Sequence, residues 1–221
     1  ALAVLRRVAE AGVDEVACVD PLVADVERTR GVWLAEFTTR TSKGSRDVRD
    51  WLALALLLRQ AGRLDEAARA AERATMLEPR LLEPWLRLAA IYSARGTPSA
   101  AVATLERARA LQPEDPVLLS DLGAAFNDEA RFADAEPLLR RSLGIRPTAE
   151  AHNNLGVTLN GLNRPADAVH EFGAALALNR GAAEAWFNLG VSHAMLGDAE
   201  QARTAYRNGL ALMPGIIDSH T

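Results

Sequence analysis

The sequence predicts an all-α array of stacked helical hairpins, and three observations predict it. An internal period of about 34 residues runs through most of the chain's 221 residues. Alanine and leucine, strong helix formers, dominate a composition that is 49% apolar but only 5% aromatic. Within each period the large residues fall at i, i+3 and i+7, one stripe of a helix, before a turn signal interrupts them.

Aligned on one leucine per unit, the period reads Leu54, Leu88, Leu122, Leu155 and Leu189, in steps of 34, 34, 33 and 34. Three residues before each leucine stand Trp51, Trp85, Leu119, His152 and Trp186. The residue after it is always small: Ala55, Ala89, Gly123, Gly156, Gly190. Ala67, Ala101, Ala135, Ala168 and Ala202 share a later slot, and Pro79, Pro113, Pro147 and Pro214 close four units; Arg180 takes that place in the fourth. Gly62, Gly96 and Gly197 supply the backbone freedom of a tight turn. A second helix then starts at Asp65, at Thr97 before Pro98, and at Asp198, all read as capping signals. Pro137 lies deeper in its helix than Pro98 or Pro165, which predicts a frayed or kinked first turn. Buried in this way, Trp85 or Trp186 replaced by alanine is expected to cost about 3–5 kcal/mol.

The units are 48–81, 82–115, 116–148, 149–182 and 183–216. Residues 1–47 do not fit the period. "ALAVLRRVAEAG" reads as a short amphipathic helix ended by Gly12, and a second helix runs from Asp20 and Pro21 to about Thr39, together a helical cap or degenerate repeat. "TSKGSRD" is a loop. Residues 217–221 read as the opening of a sixth unit, so we expect a chain that continues or is covered there, because repeat arrays need a polar terminal helix.

The pattern, W-x2-L-G-x2-Y followed by A-x3-F and a closing proline, resembles the tetratricopeptide repeat family, best in "WLRLAAIY" (85–92) and "WFNLGVSH" (186–193). The resemblance implies a right-handed α-solenoid whose first helices line a concave face. It turns Arg49, Leu52 and Arg59 inward, then Glu83, Leu86, Arg87 and Ser93, then Ser120, Asp121 and Asn127. Asn153, Asn154 and Asn160 follow, then Phe187 and Asn188. From these, Arg59, Arg87, Asp121, Asn127, Asn154, Asn160, Phe187 and Asn188 are the candidate partner-binding residues. Asn154 and Asn188, each immediately before the leucine, are expected to stack as a ladder, similar to the asparagine ladder of O-linked N-acetylglucosamine transferases. An amide offers a donor and an acceptor, which suits the main chain of an extended peptide. With helices ~8–10 Å apart and peptide rising ~3.3 Å per residue, each repeat would read about three residues. Arg49, Arg59 and Arg87 make the early half of the groove basic and suggest an acidic partner segment there. A carboxylate clamp of the chaperone-tail kind is not expected, because Leu52, Leu56 and Asp121 stand where basic residues and asparagines are needed.

Other chemistry finds no support in the residues. The net charge of −4 is modest and no basic stripe suits nucleic acid. Cys18 is the only cysteine, which excludes an intrachain disulfide and a four-cysteine metal site, and no activating neighbour is evident in sequence. Asp14 and Glu15 interrupt the apolar context a lipoprotein signal needs, and "WLALALLL" (51–58) is too short to span a membrane. His152 and His193 occupy packing slots, His170 lies beside Glu171, and no metalloprotease, phosphate-loop or nucleophile-elbow motif occurs. We therefore expect no enzyme activity and no cofactor or metal, and read the chain as a soluble scaffold of bacterial cytoplasm or periplasm that binds a protein or peptide. Arginine in place of lysine (Lys43 stands alone) with abundant alanine carries the bacterial reading. The alternative is the substrate-recruiting region of a larger enzyme such as a glycosyltransferase. A third reading is self-association through the C-terminal face.

Overall fold

The computed structural model describes residues 16–213, with side chains from Arg28 onward. Among the described residues there are helices and no strand: α1 (Val16–Ser42), α2 (Val48–Gln60), α3 (Leu64–Leu77), α4 (Leu82–Ala94), α5 (Pro98–Arg109), α6 (Pro116–Asp128), α7 (Phe132–Ile145), α8 (Ala149–Gly161), α9 (Pro165–Leu178), α10 (Ala183–Leu196) and α11 (Ala199–Ala211). The fold is thus an all-α repeat solenoid, in which α2 to α11 form a series of ten helices after α1. The expectations for Gly12, Pro214 and residues 217–221 lie outside the described residues, as does the side chain of Cys18.

The chain divides into two compact units at Arg87/Leu88, within α4. In the first, α1 packs on α2, and α2 forms a hairpin with α3. Leu54, Ala55, Leu57 and Leu58 of α2 and a run of alanines in α3, Ala67 to Ala74, make the core. In the second unit α5 packs on α6, and three hairpins follow: α6–α7, α8–α9 and α10–α11. Each second helix also packs on the next first helix, α7 on α8 and α9 on α10. Successive first helices touch as well, α6 with α8 and α8 with α10, so they share one face.

Close approach inside each hairpin explains the small residue after the leucine. A Cβ on Gly123, Gly156 or Gly190 would stand 2.5–2.6 Å from Leu139, Phe172 or Tyr206 of the paired helix. Where the small residue is Ala55, the equivalent position is Ala71, and both are buried. The two slots match in size.

The expected turn glycines adopt left-handed backbone: Gly62 and Gly96 at φ 73° and Gly197 at φ 83°. Ala130 and Asn163 hold the same place in the other two hairpins, at φ 57° and 60°.

Four expectations need correction. First, the second helices are not capped by side chains, since Arg63, Thr97, Arg131, Arg164 and Asp198 hold the cap position without such a bond. Thr97 Oγ1 donates back to the Tyr92 carbonyl at 2.9 Å instead. Arg63, Arg131 and Arg164 pair with Glu66, Asp134 and Asp167 three residues on, an acid in the positive first turn. Caps do occur on first helices, at Asp47, Asp115 and Thr148. Second, α7 is helical from Phe132 through Pro137, so its first turn is not frayed. The carbonyl that Pro137 leaves without a donor belongs to Ala133, an exposed residue that water can reach. Third, α1 is already helical over 16–19, ahead of Asp20 and Pro21, and runs on to Ser42, past Thr39.

The fourth concerns tryptophan. Trp51, Trp85 and Trp186 are half-buried rather than enclosed, because each rests over the junction between successive elements. Trp186 packs on Ala175, Leu176 and Ala185. Each indole N–H donates to the carbonyl six residues earlier: Trp51 to Ser45 at 2.9 Å, Trp85 to Pro79 at 3.0 Å and Trp186 to Arg180 at 3.2 Å. The bond uses the carbonyl and not the ring, so Arg180 can stand where proline closes other units. Partial exposure brings an alanine truncation down to about 2–3 kcal/mol.

Candidate functional site

The shared face of α6, α8 and α10 is a lattice, because the period repeats the same four helical positions on each helix. Its rungs are Val117, Glu150 and Glu184; Asp121, Asn154 and Asn188; Ala124, Val157 and Val191; and Asp128, Gly161 and Met195. All are exposed or half-buried, whereas the residues between them, such as Leu122, Leu155 and Thr158, are buried. An amide rung thus runs beside a rung of small apolar side chains.

Asp121, Asn154 and Asn188 hold the same register position on α6, α8 and α10, helices that touch in succession. Their bonding is not a simple ladder. Asn188 Nδ2 donates to Asn153 Oδ1 at 3.0 Å, and Asn153 Nδ2 donates to Glu184 at 3.3 Å. The Asn154 amide side chain makes no hydrogen bond among the described residues, although its backbone carbonyl accepts from Asn127 Nδ2 at 2.9 Å.

Asn127 and Asn160 have a different place. Each clasps a buried hydroxyl on the next first helix. Thr158 Oγ1 lies 2.7 Å from Asn127 Oδ1 and 2.9 Å from the Asn154 carbonyl, the one proton serving both acceptors. Asn160 Nδ2 donates to Ser192 Oγ at 2.9 Å, and Ser192 turns its proton toward the Asn188 carbonyl at 3.1 Å. Thr158 and Ser192 are fully enclosed, so these bonds satisfy groups that would otherwise be costly. Sequence reasoning missed both hydroxyls. The signal was present: asparagine five places after the leucine occurs only where the next unit has Thr or Ser three places after its leucine.

Phe187 faces its own hairpin, its ring 6.4 Å from that of Tyr206 and close to Gly209. Arg59 and Arg87 belong to the first unit. There a cavity of about 230 Å³ is lined by Arg49, Leu52, Leu56, Glu83 and Arg87 among others. Its basic character is largely offset, since Arg87 pairs with Glu83 at 3.2 Å and Arg49 with Asp47 at 2.9 Å. The Arg49 guanidinium in turn holds the Asp47 carboxyl below its ordinary range. Arg59 is half-buried at the end of α2.

Asp121 is the electrostatic exception. It is half-buried with no hydrogen-bond or ion-pair partner among the described residues. Burial, helped by the charge of Asp115, pushes its carboxyl up to about 6. Burial raises Asp128 as well. The histidines in packing slots face acids: His152 Nδ1 lies 2.7 Å from Glu171, and His193 Nδ1, buried without a hydrogen bond, lies 3.7 Å from Asp198. Among the described residues no cluster could hold a metal ion, and no helix is long and apolar enough to cross a membrane.

Two tetratricopeptide repeat models match the chain, over residues 58–125 and 154–215. No curated protein matches it. Among solved structures, it is similar to TTC0263, a thermophilic TPR protein of Thermus thermophilus, at 22% identity and TM-score 0.69, covering 78% of this chain and 94% of that one. YrrB, a TPR protein with an unusual peptide-binding site, matches at 21% identity and TM-score 0.56, covering 81% and 93%. MamA matches at 21% identity and TM-score 0.58, covering 70% and 91%. At these identities the structures speak for the fold. Repeat period, hairpin packing and family models agree, and the chain belongs to the tetratricopeptide repeat family, a family of protein-interaction scaffolds.

Proposed function

We propose that the α6–α8–α10 face docks an extended segment of a partner protein, in a scaffold that helps to assemble a larger complex and performs no catalysis. The observation that carries this reading is the Asn154 side chain, an amide on an accessible face with both donor and acceptor uncommitted. Buried amides find partners within the protein; Asn154 is only half-buried, and the neighbouring bonds leave its amide to the surface. A partner main chain offers the matching acceptor and donor. The adjoining rung of Ala124, Val157 and Val191 would take apolar side chains of that segment. YrrB, a similar repeat array with an unusual peptide-binding site, is an instance of such a fold taking a peptide. Asn127 and Asn160 then act indirectly, by fixing the spacing of the helices, and Phe187 packs toward Tyr206 of its own hairpin.

The test is capture from lysate with the intact chain, compared with Asn154→Ala/Asn188→Ala, combined with a photo-crosslinking side chain at Val157 or at Arg140 on a second helix. Partners lost in the double variant and crosslinked only from position 157 are expected. Unchanged capture with crosslinking from position 140 would move the site to the second-helix side.

A further inference from the structure

The second unit separates its charges by helix. First helices α6, α8 and α10 carry Asp121, Asp128, Glu150 and Glu184 and no arginine or lysine. Every arginine of that unit lies on a second helix or in a turn. Several are already held by acids of their own side: Arg140 by Glu136, Arg141 by Glu114, Arg164 by Glu136 and Asp167. Among the described residues of the unit, no cation pairs with Asp121. Glu184 is bound by the Asn153 amide, and the remaining acids of the face are well exposed. Asp121 differs from them in being half-buried, at the register position that Asn154 holds on the next first helix.

A carboxylate taken partly out of water without a partner is unfavourable in the free protein, and an incoming cation relieves that cost. We infer that the face selects an extended partner segment bearing an arginine or lysine side chain, which seats against Asp121 while the segment's main chain follows Asn154 and Asn188. The inference rests on the docking reading above and adds its chemistry: charge complementarity demands a basic segment and disfavours an acidic one. Across an interface, such pairing sets specificity and register more than total affinity. The small side chains of Ala124 and Val157 leave room for a long stem to lie flat, as arginine and lysine stems do over apolar surface.

The experiment uses the full chain and fluorescent ten-residue peptide libraries in which one position is fixed as arginine, lysine, methionine, glutamine or glutamate and the others vary among uncharged residues. Wild type is expected to bind the arginine and lysine libraries about tenfold more tightly than the methionine and glutamine ones, the scale of one charge-assisted contact. Asp121→Asn, nearly isosteric, should remove that advantage and leave the uncharged libraries unaffected. Asp121→Arg should transfer the preference to glutamate. Circular dichroism of each variant confirms that it is folded.

Peptides that bind with no preference for a cation, or a preference that survives Asp121→Asn, overturn the inference. If such binding is still lost in Asn154→Ala/Asn188→Ala, the docking reading stands without it. Failure of every library to bind overturns both.

Discussion

Ala130 holds left-handed backbone at φ 57°, where three of the other four hairpins have glycine. A Cβ there costs roughly 1–2 kcal/mol, part of which glycine gives back through its freer unfolded chain. Ala130→Gly should therefore stabilise the protein by about 0.5–1 kcal/mol, read as a higher urea midpoint, and Gly197→Ala should do the reverse. Asn163 needs no such repair, because asparagine tolerates this region. Asp121 supplies a second test at this scale. Its carboxyl titrates near 6 when folded against an ordinary 3.8, so the native state binds the extra proton between those values. Stability then falls as pH rises through that window, and the loss is complete above it. Asp121→Asn should stabilise the chain at pH 7 by about 1–2 kcal/mol and flatten urea midpoints measured between pH 4 and 6.5. A variant equal to wild type at both ends of the range would contradict the burial argument.

Between helices, the decisive contacts are pairs of sizes and pairs of polar groups. Gly156 faces Phe172 so closely that Gly156→Ala should cost about 1–3 kcal/mol by overpacking. Adding Phe172→Leu should recover part of it, because Ala89 and Leu105 occupy those slots in the second repeat, both buried; a double-mutant cycle in urea measures the coupling. Much of this scale was legible in the sequence. The period placed every hairpin, and the small-residue slot and the turn glycines behaved as their backbone requires. The helix starts were less legible, because in three of the second helices an arginine paired with an acid three residues on stands in for the usual side-chain cap. The candidate site was half legible. Register put Asp121, Asn154 and Asn188 at one position of successive first helices, but single-residue positions cannot tell an amide that faces outward from one that holds the next helix, which is where Asn127 and Asn160 went.

At the scale of the whole chain, contacts within each unit run from one helix pair to the next and little further, so stability should be nearly a sum of local terms. A chain ended after Leu178 loses α10 and α11, the Asn160–Ser192 clasp and the cover over Ala175 and Leu176. It should keep the helical signal of the remaining hairpins and melt lower, by on the order of 10 °C. Loss of all helical signal at 25 °C would mean that folding is cooperative across the array. The tryptophans offer a way to watch. Trp51, Trp85 and Trp186 each bind a carbonyl at a junction between successive elements, and Trp33 alone sits exposed on α1. Intrinsic fluorescence in this protein is therefore a report from its seams rather than its interior. Three variants that each keep a single junction indole, the other tryptophans replaced by phenylalanine, would show by their emission which seam opens first.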